Sequence, residues 1–93
     1  MITDEITKER LKQVLEGMPN VTEVIVDGIW RFMATVISPS FRDRDEAERQ
    51  ADVWSYVREH LSADEDQLYE KIEFIFTNTP EEQRAQQEQA APA

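Results

Sequence analysis

The sequence predicts an α+β fold, a two-layer sandwich in the order αββα(α)β, with a three-stranded mixed sheet packed on two amphipathic helices. Three observations carry that expectation. A helical apolar stripe opens the chain. A β-branched stretch and an alternating stretch then flank Asp27-Gly28. A second helical stripe precedes a third alternating stretch. Helices with one apolar side and a short sheet bury one another most simply as two layers.

The first helix is expected from Thr3 or Asp4 to Glu16. Acidic residues crowd its start and Lys8, Arg10 and Lys12 follow, the order a helix dipole favours. Leu11, Val14, Leu15 and Met18 fall on one side, Gly17 is the expected C-cap, and Pro19 prevents the helix from resuming. Val21 to Val26 and Ile29 to Ile37 read as the strands of an antiparallel hairpin turned by Asp27-Gly28. In the second of these, Trp30, Phe32, Ala34 and Val36 share a face. Ser38-Pro39-Ser40 ends the strand. A second helix is expected over Asp45 to Leu61, with Ala47, Ala51, Trp54, Val57 and Leu61 along its apolar side.

Ser62-Ala63-Asp64-Glu65 has a capping-box pattern and opens a short third helix through about Tyr69. Ile72, Phe74 and Phe76 then alternate with Glu73, Ile75 and Thr77 as a third strand, which a helical crossover allows to run parallel to a hairpin strand. Thr79-Pro80-Glu81-Glu82 resembles a helix start. The residues beyond it carry no apolar stripe. Residues 1–82 are therefore expected to form a single domain and residues 83–93 a polar, disordered tail.

Ninety-three residues suffice for one core, and the 40% hydrophobic content is that of a globular chain. No apolar run approaches the roughly 18 residues that span a membrane. The start, Met1-Ile2-Thr3-Asp4-Glu5, is acidic where a signal peptide is basic, so a cytoplasmic location without membrane association is the expectation.

Several chemistries are excluded by residue type. Cysteine is absent and His60 is the single histidine, so thiolate sites, disulfides and imidazole zinc sites within one chain cannot form. His60 sits near a helix C-terminus, where a cation is favourable for structural reasons alone. No nucleophile-and-base pair is visible, so no catalytic residue, metal ligand or cofactor is assigned and the chain is read as a non-enzyme. The carboxylates Asp43, Asp45, Glu46 and Glu48, and likewise Asp64, Glu65 and Asp66, read as charge complementing helix N-termini. A net charge of −10 opposes a phosphate backbone, so nucleic acid is not an expected partner. Trp30, Phe32, Phe74 and Phe76 read as core residues rather than a stacking platform. Phe41 is either a loop anchor or a binding hot spot.

Residues 32 to 52 resemble the central part of BolA-like proteins, in which a strand ends in a Val-Ser motif, a Phe follows, and a helix carries an Arg-His pair. Ile37-Ser38-Pro39-Ser40-Phe41 matches the strand end and loop, and Arg49 falls at the arginine of the pair. Thr79-Pro80-Glu81-Glu82 resembles that family's C-terminal ending, and the resemblance extends over roughly residues 6 to 82. The order of elements also resembles KH-type RNA-binding modules, but their GXXG loop is missing.

The BolA resemblance implies a regulatory protein that pairs with a monothiol glutaredoxin and shares a [2Fe–2S] cluster. The sequence departs from it at the ligands. Gln50 follows Arg49 where the histidine is expected, Tyr69, Glu70 and Lys71 occupy the region of a second histidine, and the loop between the first strands is short. Glutamine is a poor iron ligand beside imidazole or thiolate. The expected function is a small interaction or regulatory module that binds a protein through Phe41, Arg49 and Gln50. An acidic decoy or inhibitor of a basic nucleic-acid-binding protein is the alternative. Pairing of free sheet edges leaves a homodimer open.

Overall fold

The computed structural model describes residues 4–90. The expectations about a leader sequence, a helix start at Thr3 and the last residues of the tail lie outside that range.

Helix α1 (Asp4–Glu16) leads to strands β1 (Glu23–Asp27) and β2 (Phe32–Ile37), then a 3-10 turn (Pro39–Phe41) and helix α2 (Glu46–His60). A second 3-10 turn (Ala63–Glu65) runs into α3 (Asp66–Lys71), followed by β3 (Ile72–Asn78) and α4 (Pro80–Ala90). The sheet order is β1-β2-β3, with β1 antiparallel and β3 parallel to the central strand. The expected α+β sandwich with a mixed sheet is the observed one.

The core lies between the sheet and the pair α1 and α2. Leu11 and Leu15 of α1 and Val53 and Val57 of α2 are fully buried with Phe32, Ala34 and Val36 of β2 and Ile75 of β3. Leu68 and Ile72 extend the core along α3 into β3.

Five local expectations are corrected. The hairpin is not closed by a two-residue turn, because Gly28–Arg31 form a loop outside both strands. Gly28 has φ 118, and a Cβ there would lie 1.9 Å from the Arg31 carbonyl oxygen, so the loop needs glycine. Gly17 follows the end of α1 as expected of its C-cap, but the left-handed conformation that favours glycine there falls instead on Asn20, with φ 69. The inward side of α2 is turned from the expected one. Arg49, Val53 and Val57 are buried, Trp54 is half-buried, and Ala47 and Ala51 face solvent.

The fourth correction concerns β3. Phe32 pairs with Ile72 and Met33 with Phe74, so Glu73 is an extra residue in the ladder. This bulge shifts the alternation. Ile72, Ile75 and Thr77 are buried, while Phe74 and Phe76 turn outward. Lastly, the expected disordered tail from residue 83 is helical through Ala90. Thr79 Oγ1 accepts from the Glu82 amide and the Thr79 amide donates to Glu82, a reciprocal cap that starts α4 with Pro80 at its first position.

Candidate functional site

The three residues expected to bind a partner come together around the start of α2, but they face inward. Phe41 is 2% exposed. It is the loop anchor and not a surface hot spot. The Arg49 guanidinium carbon lies 5.7 Å from the centre of its ring. Arg49 Nε donates to the Arg44 carbonyl at 2.9 Å, and Nη1 donates to the Thr77 carbonyl at 3.2 Å and to Glu82 Oε1 at 2.7 Å. One buried side chain thus joins α2, the end of β3 and the start of α4. The ion pair and the Thr79 amide hold the Glu82 carboxyl below the usual carboxylate range.

Gln50 is also engaged. Its Nε2 donates to the Ile75 carbonyl at 2.7 Å and to Glu46 Oε1 at 2.8 Å, and its Oε1 accepts from Trp54 Nε1 at 3.0 Å. A histidine here would have one ring nitrogen to present to a metal, whereas this amide is spent on the strand backbone and the indole. His60 lies ten residues along the same helix, a rise of about 15 Å, and stacks on Tyr56 at 3.8 Å. Among the described residues no group of three or more His, Cys, Asp or Glu side chains is arranged to hold a metal ion. The donors at this position do not fit an iron–sulfur cluster.

The acidic clusters serve the helices. Asp45 caps α2 in a capping box with Glu48, and Glu46 accepts from Thr77 Oγ1. Glu65 accepts from the Ser62 amide at 3.1 Å and from Arg10 Nε at 2.7 Å. The Arg10 bond, followed by the Ser62 amide, lowers its pKa to about 2.

The surface that stands out is the outer face of the sheet, opposite α1 and α2. Alternation places Glu23, Ile25 and Asp27 on this face of β1, Met33, Thr35 and Ile37 on β2, and Phe74, Phe76 and Asn78 on β3, in register across the sheet. Helix α4 closes one end. Asn78 Nδ2 donates to Gln83 and Gln86 of α4, and Ile37 is 3% exposed beneath that end. The other end is open. Met33 is 42% exposed and Phe74 and Phe76 are each 46% exposed, with the two rings 4.6 Å apart. The adjoining loop exposes Ile29 and Trp30, the latter by 83%. Isolated exposed apolar residues are ordinary, but a contiguous cluster marks a contact surface.

Sequence reasoning assigned Trp30, Phe74 and Phe76 to the core, and the structure overturns this. Both parities of β3 are apolar, so the pattern alone does not say which faces inward. The β-branched Ile75 and Thr77 were the available hint. No helix of the described residues is long and apolar enough to cross a membrane.

No family model matches the chain, and no curated protein matches it. Solved structures do. BolA1 from Arabidopsis thaliana superposes with a TM-score of 0.60 at 17% identity, covering 82% of this chain and 94% of that one. A bolA protein homologue from Coxiella burnetii gives a TM-score of 0.58 at 22% identity, covering 90% of this chain and 99% of that one. These likenesses span nearly the whole of each neighbour, and both neighbours carry the name of the family that the residues around Ser38 and Arg49 resemble. The chain is therefore BolA-like in its fold.

Proposed function

We propose that this chain is a small protein-interaction module of regulatory type, acting without catalysis, whose contact surface is the open outer face of the sheet around Met33, Phe74 and Phe76. The observation that carries the reading is the exposure of those three side chains beside the exposed Ile29 and Trp30. Burying such a cluster against a partner removes apolar area from water, the main favourable contribution to most protein association. The buried Arg49 and Phe41 and the engaged Gln50 leave the start of α2 with little apolar surface to offer.

A monothiol glutaredoxin is the partner the BolA resemblance implies. Such a partner would be held by direct contact, since Gln50 supplies no ligand for a bridging cluster. The net charge of −10 argues against nucleic acid as the partner.

The test is affinity recovery from the native host with the wild-type chain and with the double variant Phe74→Ser/Phe76→Ser. Loss of a specific partner with an unchanged circular dichroism spectrum supports the reading. Equal recovery by a folded variant removes the outer face as the contact surface.

A further inference from the structure

We infer that the occupant of the outer sheet face is an amphipathic helix of a partner protein, apolar on one side and cationic along one flank. This rests on the reading of that face as a contact surface and specifies what it takes.

Size and charge both point to this occupant. Three strands at about 4.8 Å spacing make a face about 10 Å between its outer strands, close to the width of one helix. Helix α4 covers Asn78 and Ile37 at one end of this face but leaves Glu23 of the same row exposed on the β1 side, so a second helix along the β1 side would continue an existing layer. The charged positions on the face itself are acidic, Glu23 and Asp27, and both stand on the β1 edge. The opposite edge carries the Phe74 and Phe76 rings. The face is thus polarised, with carboxylates on one side and aromatic rings on the other.

Glu23 and Asp27 are four residues apart on one strand, a separation of about 13 Å. Two lysines two helical turns apart, about 11 Å, would span them through their flexible side chains. The cations nearby are Arg31, exposed in the loop at the open end, and Lys8 and Lys12 of α1, which line a groove with Glu23 along the β1 edge. Helix α1 packs on the opposite side of the sheet, so the outer face itself keeps only its carboxylates. A second copy of the chain fits less well. It would bring another net charge of −10, and a patch one helix wide is far below the roughly 800 Å² per partner of a standard interface.

The test uses fluorescence anisotropy of labelled synthetic 18-residue helical peptides with the full chain. One peptide carries a leucine stripe and lysines along one flank, and its isomer carries glutamates in place of the lysines. The expected result is binding of the lysine peptide about tenfold tighter than the glutamate isomer at low salt, with the difference collapsing near 1 M salt. Phe74→Ser/Phe76→Ser should abolish binding, and Glu23→Lys/Asp27→Lys should reverse the preference. Equal affinities, no binding of either peptide, or lysine-peptide binding that survives Phe74→Ser/Phe76→Ser would overturn the inference. So would self-association in sedimentation, or binding to neutral phosphatidylcholine vesicles, that the same double variant removes. If the peptides fail but the partner recovered from the host is still lost with that variant, the contact face stands and the cationic helix does not.

Discussion

Arg49 Nη1 lies 2.7 Å from Glu82 Oε1, and the same glutamate closes the cap that starts α4. One carboxylate thereby helps begin the last helix and pairs with a buried cation. Arginine suits the position because its planar fork reaches the Arg44 and Thr77 carbonyls as well as the carboxylate.

Arg49→Ala should therefore be a stability variant. It removes the donors to two carbonyls and a carboxylate and opens a space beside Phe41. A loss of about 2 kcal/mol is expected. For a chain this size that is a fall in Tm on the order of 10 °C, read by thermal melting. An unchanged Tm would show that the carbonyls find water at no cost. Loss of partner binding by this variant must accordingly be interpreted against its folded fraction.

Acid should weaken the fold through two glutamates. Glu65 has a folded pKa of about 2 against an ordinary 4.5, and Glu82 is also lowered. A lowered folded pKa contributes stability that is present above the unfolded value and lost as pH falls through the folded one. Urea midpoints should thus fall between about pH 4.5 and pH 2, and Glu65→Gln should flatten part of that decline. An identical slope in wild type and variant would remove the Arg10 pair as its source.

Gly28→Ala should destabilise by more than about 1 kcal/mol, because the new Cβ meets a backbone oxygen and φ is positive. Chemical denaturation measures it. The change should also disturb Trp30 emission, since the glycine sets the loop that displays the indole.

Gln50→Ala should cost about 1 kcal/mol and shift Trp54 emission, because the Ile75 carbonyl and the indole both lose a partner. Wild-type chain incubated with iron, sulfide and a monothiol glutaredoxin should develop no visible absorbance beyond that of the glutaredoxin alone. Additional absorbance that depends on this chain would mean that ligands other than Gln50 complete a cluster.

Much of the fold was legible in the residues. The stripe of Leu11, Val14 and Leu15, the break at Ser38-Pro39-Ser40, and the capping pattern at Thr79-Pro80-Glu81-Glu82 each report local chemistry that survives in the tertiary structure. What was not legible depends on contacts between distant elements. Arg49 is charged, yet it is buried because Glu82 arrives from 33 positions away. Helix α4 lacks an apolar stripe, yet it is anchored through the amides of Gln83 and Gln86 on Asn78. The candidate surface was hidden for a similar reason. Apolar residues alternate with apolar residues in β3, and only the pairing with β2 decides between the two faces.

That decision depends on Glu73. The extra residue acts as a half-period phase shift between two stretches of one strand. Before it, Ile72 is in step with Phe32 inside; after it, Ile75 takes the interior and the aromatic pair is carried out of phase to the surface. A ladder that kept Glu73 as a paired residue, with no bulge, would turn Phe74 and Phe76 inward and present the β-branched Ile75 and Thr77 in their place. The adhesiveness of this protein's exterior is in that sense a counting effect, set by whether Glu73 takes a place in the ladder or stands outside it.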